Sequence, residues 1–242
     1  MIGIGTIVNA VAVVAGGVAG TFIKSGLPER FKKTIMQGIG LSVLMVGVSG
    51  CLQGIMRISE EGKLGRQYIE LMIFSLVIGG LIGEFLNIEE KLEKIGLWFQ
   101  ERFAKGGGNF AEGFVSASLI YCVGAMAIMG ALEDGLKGDA STLFAKSILD
   151  GVSAIVFAAT MGVGVAFSAL PIFVYQGSIT LLAGLIRPFL TDNVITQMSL
   201  VGSVLIIGIG INILEIKKIK VGNLLPSMFM PFIYYIVTSL IS

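Results

Sequence analysis

Long apolar segments are the feature that most constrains how this chain folds. A membrane-spanning helix needs about 20 predominantly apolar residues, and the 242-residue chain contains several such runs. Apolar residues make up 55% of the sequence and charged residues only 14%, whereas a soluble domain carries roughly a quarter charged residues. The composition therefore excludes an ordinary soluble domain, and we expect an all-α, polytopic bundle of transmembrane helices.

Eight segments are long and apolar enough to be interpreted as spans. They lie near residues 2–23, 34–56, 69–87, 111–131, 147–169, 171–187, 195–215 and 224–241. The fifth and sixth form one apolar stretch, and Pro171 predicts the turn within it, because proline disfavours helix in the preceding residue and starts a new helix well. Seven spans is the alternative. We expect residues 1–242 to form a single integral membrane domain.

The positive charges indicate how the spans are oriented. No Lys or Arg precedes the first apolar run, whereas Lys24, Arg30, Lys32 and Lys33 follow it, so we interpret it as a retained first helix and not as a signal peptide. With the N-terminus outside, eleven Lys and Arg residues fall in cytoplasmic loops and six in external loops. Cytoplasmic loops carry an excess of basic residues, so we expect both termini outside.

The segment 88–105 differs from the spans. Its apolar residues recur at 88, 92, 95, 99 and 103, which places them on one face of a helix. It also contains the only tryptophan, Trp98, a residue type enriched at membrane interfaces. The pattern predicts an amphipathic interfacial helix, with docking of a partner as the alternative. The glycines at 106–108 predict a flexible joint over 105–109.

The residue inventory excludes most soluble enzyme chemistry. The chain has no histidine, which removes the commonest general base and the usual zinc and haem ligands. Its two cysteines, Cys51 and Cys122, lie in apolar runs without CxxC spacing, so we expect buried free thiols. There is no GxxxxGK[ST] phosphate loop and no basic stripe for nucleic acid. We therefore expect neither an enzyme nor a bound cofactor, metal or nucleic acid.

Glycines recur in short matching motifs. Residues 14–22 match residues 77–85, and residues 42–48 match residues 203–209. The second match joins spans of opposite direction and predicts an inverted repeat of spans 1–3 and 6–8, a plan that recurs in secondary transporters. Chance similarity between glycine- and valine-rich helices is the alternative.

Three Gly-xxx-Gly spacings predict close helix packing. They are formed by Gly16 and Gly20, by Gly50 and Gly54, and by Gly79 and Gly83. Helices in lipid associate through such small-residue faces, because the hydrophobic effect does not drive their contact. The same faces suit self-association, so we also expect a homodimer.

Polar side chains inside the spans are the candidates for a binding site, because strong hydrogen-bonding groups are costly in a bilayer. The candidate substrate- or ion-binding residues are Asn9, Tyr121, Asp150, Thr160, Tyr175, Gln176 and Ser178. Gly162 and Gly164 predict a bend in the fifth span that faces residues 175–178. Polar contacts that merely join helices are the alternative explanation for any single member.

Acidic residues gather where the fourth span ends and the fifth begins. Glu133, Asp134 and Asp139 are the candidates for an external acidic vestibule that attracts a cation or proton. Asp150 lies about one turn inside the next span, four residues after Lys146. That spacing allows an ion pair along one helix, which is the alternative interpretation of Asp150.

Several motifs resemble those of the YdfK/YqgA-type bacterial membrane protein family. They are Gly-Thr-Ile-Val-Asn at 5–9, Cys-Val-Gly-Ala-Met-Ala-Ile-Met-Gly at 122–130, Asp134-Gly135, Gly138-Asp139, Lys-Ser-x-x-Asp-Gly at 146–151, Ser-Ala-Leu-Pro at 168–171 and Tyr-Gln-Gly at 175–177. The resemblance covers essentially the whole chain and implies a bacterial inner-membrane protein. It implies no activity and no residue roles, because the family is classed as a domain of unknown function.

Taken together, these patterns favour a transporter of a small solute or an ion, coupled to a cation or proton through Asp150. The alternative is a non-transporting scaffold or sensor that acts through the 88–105 helix. The expected partners are the lipid bilayer and an unidentified small solute or cation. The sequence identifies no substrate.

Overall fold

The computed structural model describes residues 1–24, 28–58, 62–103, 110–122 and 125–241. The fold is all-α, as the long apolar runs predict. Its α-helices are α1 Ile4–Lys24, α2 Glu29–Ile55, α3 Ile69–Leu86, α4 Ile88–Phe103, α5 Phe110–Cys122, α6 Ala125–Lys137, α7 Ser141–Met161, α8 Gly164–Phe167, α9 Ala169–Ile186, α10 Asp192–Ile213 and α11 Met230–Ile241. The predicted joint at 105–109 lies outside the described residues.

Six of the described helical segments are long and apolar enough to cross a membrane. A seventh arises if α5 and α6, which are bent by 61° relative to each other, count as one span. The predicted eighth span, 224–241, is instead divided into a 3-10 helix, Val221–Phe229, and the twelve-residue α11. Pro226 lies inside the 3-10 helix, where its missing N–H disfavours a regular α-helix. A count of eight spans therefore stays a prediction.

A short β-hairpin follows α2, where the sequence suggests only a loop. Its strands, β1 Met56–Ile58 and β2 Leu64–Arg66, pair antiparallel. Tyr68 then precedes α3 with φ of 60°, in the left-handed region that bulky residues rarely adopt. The chain is thus turned sharply before its third span.

The described chain divides into two compact units. One contains residues 1–38 and 90–187, and the other contains residues 39–89 and 188–242. Both units are built from the same kind of apolar helix. The single membrane domain expected over 1–242 stays a prediction.

In the first unit, α1 and α7 run parallel in direct backbone contact. A methyl group added at Gly5 would lie 2.7 Å from the Leu143 side chain, and one added at Gly20 would collide with the Ile155 carbonyl oxygen. A methyl group added at Gly16 would likewise collide with a backbone carbonyl oxygen of α7. The prediction that the first Gly-xxx-Gly spacing is a packing face is confirmed.

The glycine break predicted inside the fifth span lies at its end. Helix α7 stops at Met161, and Gly162 adopts φ of +88°, a conformation that glycine tolerates best. The turn expected at 168–171 is therefore wrong in position: α8 follows the break, and Pro171 lies in the first turn of α9. That position needs no backbone N–H.

In the second unit, the other two glycine spacings are also packing faces. Gly79 and Gly83 of α3 leave no room for a side chain against Ser227 and Asn223 of the 3-10 helix. Helices α2 and α10 pack antiparallel, and a methyl group at Gly54 would lie 2.7 Å from Cβ of Leu200. Both predictions are confirmed.

The segments that suggested an inverted repeat are packing partners in this unit. A methyl group at Gly47 would lie 2.8 Å from the Ile207 amide nitrogen, and one at Gly210 would lie 2.8 Å from that of Leu44. Similar sequences on two antiparallel helices make similar contacts with each other. The larger repeat of spans 1–3 and 6–8 stays a prediction.

A polar network ties the end of α3 to the 3-10 helix. The Asn223 amide nitrogen donates to Glu84 Oε2 at 2.6 Å, and the Glu89 backbone N–H donates to Asn223 Oδ1 at 2.7 Å. Lys220 Nζ lies 2.6 Å from Glu84 Oε1. Asn223 is only 3% exposed, so its amide is the buried centre of this network.

Candidate functional site

Three polar side chains from three different helices meet inside the first unit. Asn9 of α1 donates through Nδ2 to Asp150 Oδ2 of α7 at 3.1 Å and to Gln176 Oε1 of α9 at 3.2 Å. Asn9 and Gln176 are completely buried, and Asp150 is 6% exposed. Asp150 lies about 14 Å along α7 from its first residue at a rise of ~1.5 Å per residue. We call this group, with the residues that contact it, the Asp150 cluster.

Lys146 completes the charge balance of the cluster. Its Nζ lies 3.0 Å from Asp150 Oδ1 and 2.9 Å from Oδ2, and both side chains are nearly buried. The two residues are one helical turn apart on α7, so their side chains share a face. The ion pair suggested by the i,i+4 spacing is confirmed. Because the two charges are opposite, the pair is formally neutral.

A second contact joins the cluster to α5. Ser153, one turn beyond Asp150, donates to the Asp150 carbonyl oxygen at 3.0 Å, and its hydroxyl oxygen lies 3.2 Å from the Tyr121 hydroxyl, within hydrogen-bonding distance. Tyr121 is 1% exposed and lies one residue before the end of α5. Helix α5 therefore ends beside the cluster.

Several buried polar atoms around the cluster have no hydrogen-bonding partner among the described residues. They are Thr6 Oγ1, Asn9 Oδ1, Tyr175 Oη, Gln176 Nε2 and Thr180 Oγ1. Leaving such a group unsatisfied costs about 1–3 kcal/mol, so buried polar atoms in proteins are nearly always paired with protein or water. We interpret these atoms on α1 and α9 as the groups that a polar guest or water would satisfy.

The orientation of the Asn9 amide follows from its neighbours. Asp150 and the Gln176 carbonyl oxygen are both acceptors, so the Asn9 NH₂ group has to face them. The Asn9 oxygen and the Gln176 NH₂ group then become the unpartnered acceptor and donor in the described part of this unit. The cluster thus presents both kinds of hydrogen-bonding group.

Two predicted site residues do not join the cluster. Ser178 is exposed, and its hydroxyl donates to the Val174 carbonyl oxygen of its own helix at 2.6 Å. The Thr160 hydroxyl donates to the Phe157 carbonyl oxygen at 2.9 Å. Serine and threonine satisfy themselves in this way within a helix, which explains why their presence in a span is a weak signal.

Helix spacing also separates the glycine break from the cluster. Gly162 lies twelve residues beyond Asp150, which corresponds to about 18 Å along the chain direction of α7. A methyl group on Gly164, just after the break, would collide with the Phe110 carbonyl oxygen at the start of α5. The predicted proximity of the break to residues 175–178 is therefore wrong. Tyr175 itself is half-buried.

The three acidic residues expected to form an external vestibule have separate structural partners. Asp134 is completely buried and accepts the backbone N–H groups of Gly3 and Gly5 at 3.0 and 3.1 Å. Glu133 accepts from the Thr142 hydroxyl at 2.6 Å, and exposed Asp139 accepts from Ser141. Asp134 therefore does not line an open vestibule; it caps the start of α1.

Ser153, which contacts Asp150, and the buried Thr6 and Thr180, which share helix faces with Asn9 and Gln176, are residues that the sequence interpretation did not select. Their spacing could have identified them: Thr6 precedes Asn9 by three residues, Thr180 follows Gln176 by four, and Ser153 follows Asp150 by three. Residues at these intervals share a helix face. A search for polar residues three or four positions from Asn9, Asp150 and Gln176 would have identified all three.

Comparison with known proteins places the whole chain in one group. Residues 4–236 match the family model described as "Protein of unknown function (DUF554)". The chain is 37% identical over 227 residues to "Uncharacterized membrane protein YdfK" of Bacillus subtilis (strain 168), covering 94% of this chain and 93% of that protein. It is 30% identical over 232 residues to "Uncharacterized protein YqgA" of Escherichia coli (strain K12), covering 94% of each. No solved structure matches it.

Proposed function

The chain belongs to this membrane-protein family of unknown function, and from that premise we propose that it transports a small solute or an ion through the Asp150 cluster. The protein is multi-pass, with six or seven candidate spans among the described helices. We further propose the bacterial cytoplasmic (inner) membrane as its location, with both termini outside, on the distribution of Lys and Arg. We expect no enzymatic activity.

The observation that carries the proposal is the group of unpartnered polar atoms at the cluster. Gln176 Nε2 and Asn9 Oδ1 are fully buried, and within the described ranges neither has a partner. In a membrane protein such groups are expensive, and they commonly mark a path or site for a polar substrate. A bound solute that accepts from Gln176 and donates to Asn9 would remove the cost.

The bend between α5 and α6 is the second support. Broken spanning helices are recurrent at transporter binding sites, because the freed backbone groups line a polar cavity there. Here α5 and α6 are bent by 61° relative to each other, and α5 ends one residue after Tyr121, which is joined to the cluster through Ser153. This break is therefore nearer to the cluster than the one at Gly162.

The charges of the cluster narrow the choice of solute. Lys146 and Asp150 neutralise each other at 2.9 Å, and the remaining groups are amides and hydroxyls. An uncharged or zwitterionic solute with both donors and acceptors matches this environment better than one with a net charge. Ion transport would instead require the ion to displace one member of the pair.

A ligand screen tests the proposal. Purified protein is heated in the presence of amino acids, sugars, nucleobases and simple salts, and its unfolding midpoint is measured. A ligand that binds only the folded state at 100 times its Kd stabilises it by about 2.7 kcal/mol. We expect one compound class to raise the midpoint of the wild-type protein.

Two variants on α9 make the screen specific. Gln176→Leu removes the unpartnered amide with little change of volume, so we expect it to abolish the stabilisation by the compound. Ser178→Ala, two residues away and exposed, should retain it. Equal stabilisation of both variants would exclude the cluster as the binding site.

Flux through reconstituted vesicles tests transport itself. Asp150→Asn keeps the shape of the side chain but removes its charge, so we expect uptake of the stabilising compound to be lost. If this variant transports as fast as the wild type, Asp150 takes no part in coupling. Binding without uptake in the wild-type protein would contradict transport while leaving the site intact.

The alternative proposal is a non-transporting scaffold or sensor that uses α4. Ile95, Leu97 and Trp98 of this helix are 45%, 51% and 55% exposed, and an exposed apolar surface on an amphipathic helix suits an interface or a partner. Changing Trp98 and Ile95 to serine should then abolish function while Gln176→Leu has no effect. The transporter proposal expects the reverse.

A further inference from the structure

We propose that the Lys146 ammonium is a built-in cation at Asp150, so that this site exchanges protons and does not bind Na⁺ or K⁺. The inference rests on the proposed transport function, and it specifies the coupling ion. Lys146 Nζ lies within 3.0 Å of both carboxylate oxygens of Asp150. That is the position a metal ion bound by this carboxylate would occupy.

The surroundings of Asp150 suit a carboxylate that keeps its ammonium partner. Its Oδ2 also accepts from Asn9 Nδ2, so the described groups that contact it are donors. A hard metal ion needs several oxygen ligands around it. The nearest candidates, the Asn9 and Gln176 amide oxygens, face away from Asp150 or accept a hydrogen bond of their own. The ammonium therefore excludes the ion by its position, and the orientation of the two amides leaves the ion without further oxygen ligands there.

Burial of Lys146 and Asp150 does not by itself indicate a structural role. A buried ion pair is weak evidence for stability, since apolar residues of similar volume often stabilise a fold as well or better. Two ionisable side chains in a span are instead a mark of function. Both members of the pair belong to α7, and Asn9 of α1 donates a hydrogen bond to it.

Proton exchange at the pair follows from its chemistry. A proton that enters from water forms an O–H bond on Asp150, the carboxylate becomes neutral, and the pair changes from formally neutral to a net charge of plus one. Lys146 is then no longer held by an opposite charge. Loss of the same proton to water restores the ion pair.

Among the described residues, the titratable groups that neighbour the pair are the Tyr121 hydroxyl and the Cys122 thiol of α5. Helix α1 presents the non-titratable amide of Asn9 to Asp150, and α8 has no titratable residue. The Tyr175 hydroxyl of α9 lies near Cys122, while Glu133 and Asp134 of α6 have their own partners. Tyrosine and cysteine side chains ordinarily carry their protons at neutral pH, so the Asp150 carboxylate is the group of this set that can take up a proton.

The test is whether removal of the ammonium creates a metal-ion site. Unfolding midpoints of the full-length purified protein are measured in NaCl, KCl and choline chloride at equal ionic strength. We expect the wild type to give the same midpoint in all three salts. Lys146→Ala should gain a midpoint rise of roughly 5 °C in saturating Na⁺ or K⁺ over choline, because the vacated carboxylate and the neighbouring amide oxygens then bind the ion.

Two control variants test whether the cation response arises at the Lys146–Asp150 pair. Lys146→Arg keeps the positive charge and should remain indifferent to the salt. Lys146→Ala combined with Asp150→Asn should lose the gained response. A wild type that Na⁺ or K⁺ stabilises through Asp150, or a folded Lys146→Ala variant without a cation response, would overturn the proposal.

An infrared measurement on the wild-type protein covers the case in which Lys146→Ala does not fold. A carboxyl band that appears on acidification, is absent from Asp150→Asn and is unmoved by Na⁺ supports proton exchange. A band that Na⁺ shifts or suppresses would contradict it. Neither experiment measures flux, so a failure of transport and a failure of this inference give different results.

Discussion

The Gly3 amide nitrogen lies 3.0 Å from Asp134 Oδ1, although 131 residues separate them in the sequence. The second carboxylate oxygen accepts the Gly5 amide at 3.1 Å. Both amides belong to the first turn of α1 or precede it, where four N–H groups lack helical partners. An acidic side chain from α6 thus caps a helix that begins far away in the chain.

Replacing this cap should destabilise the first unit. We expect Asp134→Ala to lower the free energy of unfolding by about 1–2 kcal/mol, the usual loss for a helix cap. Asp134→Asn keeps one acceptor oxygen but loses the charge that interacts with the helix dipole, so its loss should be smaller. Thermal unfolding in detergent measures both. Variants as stable as the wild type would show that water replaces the carboxylate at no cost.

The close helix contacts at the glycine faces predict which glycine-to-alanine substitutions destabilise the protein. Gly20→Ala on α1 and Gly83→Ala on α3 would each place a methyl group against a neighbouring backbone carbonyl. We expect each to cost about 1–3 kcal/mol, the range for overpacking. Thermal unfolding or yield of monodisperse protein measures the effect.

Gly184→Ala is the matched control for these glycine variants. Gly184 lies in α9, and no described heavy atom comes within 4 Å of a methyl group built there. Alanine also favours helix over glycine, so we expect unchanged or slightly raised stability. A loss equal to that of Gly20→Ala would mean that the effect is not caused by helix contact.

Ionised Asp139 should stabilise the start of α7, and this stabilisation should depend on pH. The Ser141 hydroxyl at 2.6 Å, and then the Ser141 amide, hold the pKa of Asp139 below its ordinary value. A lowered pKa means that the stabilisation is present at neutral pH and is lost as the pH falls through the folded-state value, below about 4.

Ser141→Ala tests this dependence. It removes the larger of the two hydrogen bonds, so we expect a lower unfolding midpoint than the wild type at pH 7 and a difference that shrinks as the pH is lowered through the acid range. A difference that stays constant over that range would assign the effect of Ser141 to something other than ionised Asp139.

Replacing Asn223 should show how much the polar network of the second unit contributes to the free energy of unfolding. Asn223→Leu removes the acceptor of the Glu89 N–H and the donor to Glu84, and we expect a loss of about 2 kcal/mol from groups left without partners. Asn193→Ala is the control, because its hydrogen bond from Tyr68 is exposed and should contribute little. Equal effects of both variants on thermal unfolding would mean that burial of Asn223 does not matter.

The sequence predicts the spans well where apolar periodicity decides the structure. The third span, predicted at 69–87, is helix Ile69–Leu86. The sequence misplaces breaks, because proline and glycine show where a helix can end but not where packing makes it end. Pro171 is accommodated in the first turn of α9, while α7 ends at Gly162 against residues from α5.

The candidate site was predictable where a polar side chain finds no hydrogen-bonding partner within its own helix. Asn9 and Gln176 cannot satisfy themselves within their own helices, so partners on other helices were to be expected, and the structure brings them together with Asp150, which also pairs with Lys146 on its own helix. Ser178 and Thr160 use their own helix carbonyls. Asp134 was interpreted as part of an external vestibule because only the three-dimensional fold brings the start of α1 to it.

The backbone contact between α1 and α7 bears on which hydrogen bond of the Asp150 cluster a solute would separate. A methyl group at Gly16 or Gly20 would collide with a carbonyl oxygen of α7, so the two helices have no space between them at these points. Asn9 and Asp150 lie on this closely packed pair, whereas Gln176 belongs to α9. If transport proceeds as proposed, we expect the Asn9–Asp150 hydrogen bond to persist and the Asn9–Gln176 hydrogen bond to be the one that the solute separates.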